Sequence, residues 1–185
     1  MSKSILISGG ARAGKSHLAQ ELALKRAHPV LFVATAEAND PDMRDRIEKH
    51  KQSRPASWRT LEVTTGIGDR IIEEIGDAET VIVDCVTLLV SNVLGRHCDP
   101  DGEPTDATLS ETEVLSEIDG LINCINRVKA DFIIVTNEVG LGIVPAYRSA
   151  RVYRDLLGKA NQRLAHHADE VYLMVSGLSL RVKPG

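Results

Sequence analysis

One stretch decides the fold of this chain: Ile5-Leu6-Ile7-Ser8-Gly9-Gly10-Ala11-Arg12-Ala13-Gly14-Lys15-Ser16. It opens with a short apolar run typical of a buried strand and continues into G-x-x-x-x-G-K-S, the pattern of a phosphate-binding loop. Gly9 and Gly14 allow backbone dihedrals that a Cβ would forbid. Successive N–H groups at the start of the following helix can then bind an anion, which the helix dipole also favours.

The end of this pattern carries chemistry of its own. Lys15 can place a cation on the β- and γ-phosphates of a nucleotide, and the Ser16 hydroxyl can ligate Mg²⁺. A glycine-rich turn that matches by chance is the alternative, but the motif is long and lies between a strand and an amphipathic helix. Nucleotide contacts are expected along the whole loop: Gly9, Gly10, Ala11, Arg12, Ala13, Gly14, Lys15 and Ser16.

Composition excludes several functional classes. The chain has 185 residues, the size of one ordinary domain, and we predict a single domain over residues 1–185. A net charge of -4 without a block of basic residues argues against nucleic-acid binding. Three widely spaced cysteines form neither a metal motif nor a disulfide framework, which fits a reducing compartment. No apolar stretch reaches membrane-spanning length, so we expect a cytoplasmic protein.

Apolar runs alternate with helical patterns along the rest of the chain. Three continuous runs predict strands buried on both faces: Val30–Thr35, Thr80–Asp84 and Asp131–Thr136. The pattern around Gly177 predicts a hairpin of terminal strands, and a capping box at Ser110 predicts the start of a long helix. We therefore expect an α/β, P-loop NTPase-like three-layer fold with a mainly parallel central sheet and a C-terminal antiparallel hairpin.

Two strand ends carry candidate site residues. The run Thr80–Asp84 finishes in a carboxylate, which beside a phosphate-binding loop reaches Mg²⁺ directly or through water. A helix cap is the bland alternative for Asp84. The loop after Val30–Thr35 lies at the carboxyl edge of the predicted sheet, where ligands bind in such folds. Ser16 and Asp84 are thus the predicted metal ligands.

A polar helix, predicted from Met43 to about Gln52, concentrates basic residues in an otherwise acidic protein. It holds His50 among cations, and the basic run continues to Arg54 and on to Trp58. A solvated face with i,i+4 charge pairs is the commoner explanation. A neutral imidazole can attack a phosphoryl centre, so a covalent step at His50 is chemically reasonable, although spacing alone leaves the choice open.

These motifs together resemble a known family, the bifunctional adenosylcobinamide kinase/adenosylcobinamide-phosphate guanylyltransferases of cobalamin biosynthesis. The resemblance covers nearly the whole chain, and the Arg-Ile-x-x-His and Thr-Asn-Glu-Val-Gly motifs are its specific part. The matching stretches are Gly9 to Ser16, Ala34 to Ala36, Arg46 to Lys51, Arg54 to Thr60, Asp84-Cys85, Thr136 to Pro145, Asn161 to Ala165 and Val175 to Gly177.

The resemblance implies two reactions. ATP or GTP phosphorylates adenosylcobinamide, and GTP then transfers GMP to that phosphate through a GMP-histidine intermediate, which gives adenosylcobinamide-GDP and pyrophosphate. The nucleophile falls on His50, although some members have two adjacent histidines where this chain has Lys49 and His50.

The resemblance also implies binding residues and an assembly. Mg²⁺ is the implied cofactor, adenosylcobinamide and a nucleoside triphosphate are the implied partners, and family members look like trimers. Beyond the loop, the implied nucleotide contacts are Ala34, Thr35, Ala36, Lys51, Gln52, Ser53, Arg54, Glu62 and Asp84. A small-molecule kinase without nucleotidyl transfer, and a nucleotide-switch binding module, are the alternative functions.

Overall fold

Seven strands form one sheet in the computed structural model, which describes residues 2–37, 44, 47, 48, 51, 52 and 54–184. The strands are β1 (Ser4–Gly9), β2 (Val30–Ala34), β3 (Arg59–Glu62), β4 (Thr80–Asp84), β5 (Asp131–Val135), β6 (Glu170–Val175) and β7 (Leu178–Lys183). Their order is β3-β2-β4-β5-β1-β6-β7, and every pair is parallel except β6 with β7. The predicted α/β fold with a C-terminal antiparallel hairpin is confirmed.

Five helices are described from end to end. They are α1 (Lys15–Arg26), α2 (Ile67–Glu74), α3 (Val86–Gly95), α4 (Ala107–Arg127) and α5 (Arg148–His167). None of these described helices combines the length and apolar composition that crossing a bilayer requires.

Both faces of the central strands are buried, as their continuous apolar runs predict. On one face, Leu31 of β2 and Val83 of β4 pack with apolar residues of α2, α3, α4 and α5. On the other face, Phe32 and Ile82 of the same strands pack with Ala19 of α1. Alternate residues therefore face two separate cores, and the sheet lies between helical layers.

The structure corrects one helix prediction and describes only part of another. The capping box at Ser110 was the wrong start for α4: Asp106 caps the helix by accepting from the N–H groups of Thr108 and Leu109. Ser110 is buried one turn inside, where its hydroxyl donates to the Asp106 carbonyl. Of the polar helix predicted from Met43 to Gln52, residues 44, 47, 48, 51 and 52 are helical, and the remainder lies outside the described residues.

The C-terminal hairpin supports the glycine-rich loop (Gly9–Ser16). Ser176 and Gly177 form its turn, with φ values of 51° and 85°, which is the paired positive-φ geometry of a type I′ connection. The Gly177 N–H donates to the Ala13 carbonyl at 3.1 Å. The last two strands thus hold the loop at the start of the chain.

Helices α2 and α4 approach closely at a pair of glycines. A Cβ on Gly68 would lie 2.6 Å from the Gly120 carbonyl carbon, whereas a Cβ on Gly120 meets nothing within 4 Å. We expect Gly68→Ala to lower the free energy of unfolding by about 2 kcal/mol, because two packed backbones must separate. Gly120→Ala, the matched control, should raise it by roughly 0.5–1 kcal/mol through helix propensity. Urea unfolding measures both, and equal effects of the two substitutions would contradict this packing.

Asp169 ties the start of β1 to the chain before β6 and makes stability depend on pH. Its Oδ2 accepts from the Ser4 N–H at 2.7 Å and from the Ser4 hydroxyl at 2.8 Å, and these bonds lower the pKa of the Asp169 carboxyl from its ordinary value of 3.8. The unfolded chain therefore binds the proton more readily, so this stabilisation is complete above about pH 4 and is lost as pH falls.

We expect Asp169→Asn to cost roughly 0.5–1 kcal/mol at pH 7, since the site is largely solvated. That cost should shrink as the pH is lowered from about 4 towards 2 in thermal unfolding experiments. Asp101→Asn, in the exposed turn before α4, is the control. A cost that stays constant across this range would refute the role of the Asp169 carboxylate.

Candidate active site

The parallel register brings four strand ends into one row. Ala34 at the end of β2 lies beside Glu62 of β3 and beside Asp84 of β4, and Asp84 lies beside Val135 of β5. All four residues line one cavity of about 620 Å³ at the carboxyl edge of the sheet. This is the edge at which open α/β sheets bind their ligands.

The glycine-rich loop forms another wall of this cavity. Gly9 has a φ of 148°, and a Cβ there would lie 2.5 Å from the Met174 carbonyl oxygen. Gly14 has a φ of 94° and immediately precedes α1. The loop therefore reverses where a side chain could not be accommodated, and it ends at a helix N-terminus that faces the cavity.

The structure brings together most of the predicted site residues. The cavity is lined by two groups: the predicted Ala11, Arg12, Ala13, Gly14, Lys15, Ser16, Ala34, Ala36, Lys51, Arg54, Glu62 and Asp84, and the unpredicted His17, Ile47, Cys85, Thr87, Leu88, Val135 and Asn137.

Lys15 is the buried cation of the cavity wall. The residue is only 7% exposed, and its Nζ donates to the Gly10 carbonyl at 2.6 Å. Burial lowers the pKa of Lys15, while Cys85 and Asp84 favour its charged form. An ammonium has three donors, so this bond to the loop leaves two for an anionic group.

Asp84 and Ser16 face the same space from different elements. Asp84 ends β4, and Ser16 lies in the first turn of α1. The Oδ2 atom of Asp84 is buried, and no described group donates a hydrogen bond to it. A buried carboxylate oxygen without a donor is suited to a cation.

Lys51 and Arg54 also bring positive charge to the lining of the cavity. Lys51 Nζ lies 2.5 Å from Glu62 Oε1. The guanidinium carbon of Arg54 lies 3.5 Å from the centroid of the Phe32 ring, and its Nε and Nη1 atoms are buried without an acceptor among the described residues. Burial lowers the pKa of Arg54, and Asp84 and Glu62 act in the opposite direction.

Four predicted site residues within the described part of the chain do not line the cavity: Gly9, Gly10, Thr35 and Gln52. Gly9 and Gly10 shape the loop behind it. The Thr35 side chain is fully buried, where its hydroxyl donates to the Cys85 carbonyl at 2.7 Å and accepts from the Cys85 N–H at 2.9 Å. Gln52 donates to Glu48 at 3.3 Å. His50 and Ser53 lie outside the described residues.

The unpredicted lining residues follow from the sheet edge. Cys85, Thr87 and Leu88 come directly after β4, so the carboxyl-edge rule could have found them. Thr87 Oγ1 accepts from the Asn137 N–H at 2.8 Å and thereby joins the chain after β4 to the chain after β5. Burial raises the pKa of the Cys85 thiol to about 11, which leaves it protonated and a poor nucleophile at neutral pH.

Comparison with known proteins gives one consistent family. The family described as "Cobinamide kinase / cobinamide phosphate guanyltransferase" matches residues 5–182. The chain is 42% identical over 180 residues to the "Bifunctional adenosylcobalamin biosynthesis protein CobU" of Escherichia coli K12, covering 97% of this chain and 99% of that protein. It is 37% identical over 178 residues to the "Bifunctional adenosylcobalamin biosynthesis protein CobP" of Pseudomonas aeruginosa, covering 96% of each chain.

A solved structure from Pyrococcus horikoshii OT3 shares the fold. Its TM-score is 0.56 at 10% sequence identity, over 98% of this chain and 86% of that one. At this identity the similarity concerns the arrangement of the sheet and helices alone.

Proposed function

Since the chain belongs to the cobinamide kinase/cobinamide phosphate guanyltransferase family, we propose that it catalyses both reactions of that family. In the first, the free hydroxyl of adenosylcobinamide attacks the γ-phosphorus of ATP or GTP, and the nucleoside diphosphate leaves. In the second, adenosylcobinamide phosphate accepts GMP from GTP, and pyrophosphate leaves.

The observation that carries this proposal is the meeting of the glycine-rich loop, Lys15, Arg54 and Asp84 in one cavity. Loop N–H groups and the α1 N-terminus favour an anion. Buried Lys15 and half-buried Arg54, whose Nε and Nη1 atoms are buried, add positive charge that can neutralise a polyphosphate in a partly desolvated space. Such fixed positive charge is the main contribution that a protein makes to phosphoryl transfer.

The donor set of the cavity also fits Mg²⁺. Ser16 offers a hydroxyl, and Asp84 offers a buried oxygen that has no described hydrogen-bond donor. These two residues would hold the ion, Asp84 directly or through water. When bound, the ion neutralises charge on the phosphate oxygens.

We assign the nucleophile of guanylyl transfer to His50. An imidazole nitrogen attacks the α-phosphorus of GTP, a P–N bond forms and the bond to pyrophosphate breaks. An oxygen of adenosylcobinamide phosphate then attacks the same phosphorus and releases the imidazole. Lys51 and Arg54, which follow His50 in the sequence, line the cavity and support this assignment.

The remaining proposals concern the protein as a whole. We propose that residues 1–185 act as one domain, that the chain forms a homo-oligomer, a trimer by resemblance to the family, and that it works in the cytoplasm. Its three cysteines are free thiols, which fits a reducing compartment.

Product analysis tests the proposed function. Adenosylcobinamide is incubated with GTP and Mg²⁺, and the products are identified by mass, with Lys15→Met as the inactive control. We expect adenosylcobinamide phosphate first and adenosylcobinamide-GDP after it. Phosphorylated product alone would favour a kinase without nucleotidyl transfer, and the absence of both products would favour a binding module.

A further inference from the structure

The side chains of Arg54 and Trp58 both pack against the ring of Phe32, a residue of β2. The guanidinium carbon of Arg54 is 3.5 Å from the Phe32 ring centroid. The rings of Phe32 and Trp58 are stacked, with centroids 6.5 Å apart and an interplanar angle of 21°. We call these three residues the aromatic clasp.

The local sequence explains how one short segment makes both contacts. Pro55 fixes the backbone directly after Arg54, and the Trp58 N–H donates to the Pro55 carbonyl at 3.1 Å. This turn returns the chain so that side chains four residues apart reach the same ring. Phe32 lies in β2, is 1% exposed, and packs in the core between the sheet and α1. Phe32 is therefore a rigid support for the other two side chains of the aromatic clasp.

Core packing alone does not account for Arg54. A residue that served only as a cover for Phe32 would place its polar atoms in water. Here Nε and Nη1 are buried and meet no acceptor among the described residues, and Arg54 lines the cavity with Asp84 and Glu62. Buried donors without acceptors are costly, and a ligand that brings an acceptor to Nε and Nη1 would remove that cost.

The chemistry of the guanidinium identifies the ligand class. Its planar fork of N–H donors matches the oxygens of a phosphate group, and stacking on an aromatic face fixes the plane of that fork. The same cavity presents the glycine-rich loop and Lys15, which are also suited to phosphate.

We propose that Phe32 and Trp58 are positioning residues for the nucleotide: they hold the Arg54 guanidinium in the plane in which its free donors meet a phosphate oxygen. This inference rests on the proposed function, because it requires a nucleotide in the cavity. It predicts that Trp58 affects nucleotide affinity through Arg54 and by no other route.

A double-mutant cycle tests this dependence. The affinity for a non-hydrolysable GTP analogue with Mg²⁺ is measured by calorimetry for the parent, Trp58→Met, Arg54→Lys and the double variant. Trp58→Met keeps an apolar side chain but removes the ring that stacks on Phe32, and we expect an affinity loss of about tenfold. Arg54→Lys keeps the charge but removes the fork, and should cost at least as much.

The double variant decides the question. If Trp58 acts through Arg54, Trp58→Met should have less than a twofold effect in the Arg54→Lys background, because the fork that it positions is already gone. Equal effects in both backgrounds would overturn the inference. Trp58→Phe is the matched control. It keeps an aromatic ring at this position and should therefore retain the parental affinity. Trp58→Leu replaces Trp58→Met if that variant fails to fold.

The two proposals fail in different ways. If the parent does not bind the analogue, the proposed function is wrong and this inference falls with it. If the parent binds and the cycle is additive, the proposed function stands and only the positioning role is lost.

Discussion

Replacing Lys15 with methionine is expected to lower kcat/KM of both reactions by about 100- to 1,000-fold. The Lys15 ammonium is buried in the cavity wall and held by the Gly10 carbonyl at 2.6 Å, so its charge is fixed where phosphates would lie. Losing one preorganised donor of this kind typically costs that much in rate. Steady-state kinetics with adenosylcobinamide and with adenosylcobinamide phosphate measure the two reactions separately.

We expect Lys15→Met to fold as stably as the parent, so the loss of kcat/KM should not result from unfolding. Burial lowers the pKa of Lys15, which means that the folded protein disfavours the charged form and gains no stability from it. Methionine is also of similar length and apolar, so Lys15→Met should unfold at the parental temperature or above. Lys25→Met, an exposed position of the same helix α1, is the control and should retain full activity. Less than a tenfold loss for Lys15→Met would contradict the role of Lys15.

Replacing His50 with alanine is expected to lower the rate of guanylyl transfer by at least about 1,000-fold. The rate of phosphorylation should stay within a few-fold of the parental rate. A covalent nucleophile has no substitute in its own step, whereas the first reaction uses the substrate hydroxyl as nucleophile. With GTP labelled at the α-phosphate, the parent should form an acid-labile protein adduct and the variant should form none.

A second histidine provides the control for this experiment. His28 lies between α1 and β2, at the sheet edge opposite the cavity, where its Nδ1 is 3.1 Å from Glu79. His28→Gln should form the adduct as the parent does. Label retained by His50→Ala would move the nucleophile elsewhere, and equal losses of both reactions in His50→Ala would indicate a structural role instead.

The sequence predicts the sheet well because its signals are local. Val30–Thr35, Thr80–Asp84 and Asp131–Thr136 each contain an unbroken apolar run, and each corresponds to a central strand with both faces buried. The glycine-rich loop and Asp84 could be placed at one edge for the same reason, since parallel strands share their carboxyl end. The hairpin turn at Ser176 and Gly177 follows from the positive φ that glycine permits.

Other features depend on contacts between distant residues, and local patterns do not reveal them. Thr35 appears in sequence as part of a ligand-edge loop, but its side chain bonds to the backbone of Cys85, fifty residues away. Arg54 is one of several basic residues in the sequence, and only the fold brings it onto Phe32. The start of α4 is ambiguous in the sequence for a local reason, because Ser110 and Asp106 are both good capping residues and the sequence does not rank them.

The most direct test of the account is a crystal structure with a non-hydrolysable GTP analogue and Mg²⁺. We expect the polyphosphate to lie against the backbone amides of the glycine-rich loop, with Lys15 Nζ and the Arg54 guanidinium within hydrogen-bonding distance of its oxygens. A polyphosphate bound away from the glycine-rich loop, with Lys15 still bonded only to the Gly10 carbonyl, would contradict the central claim.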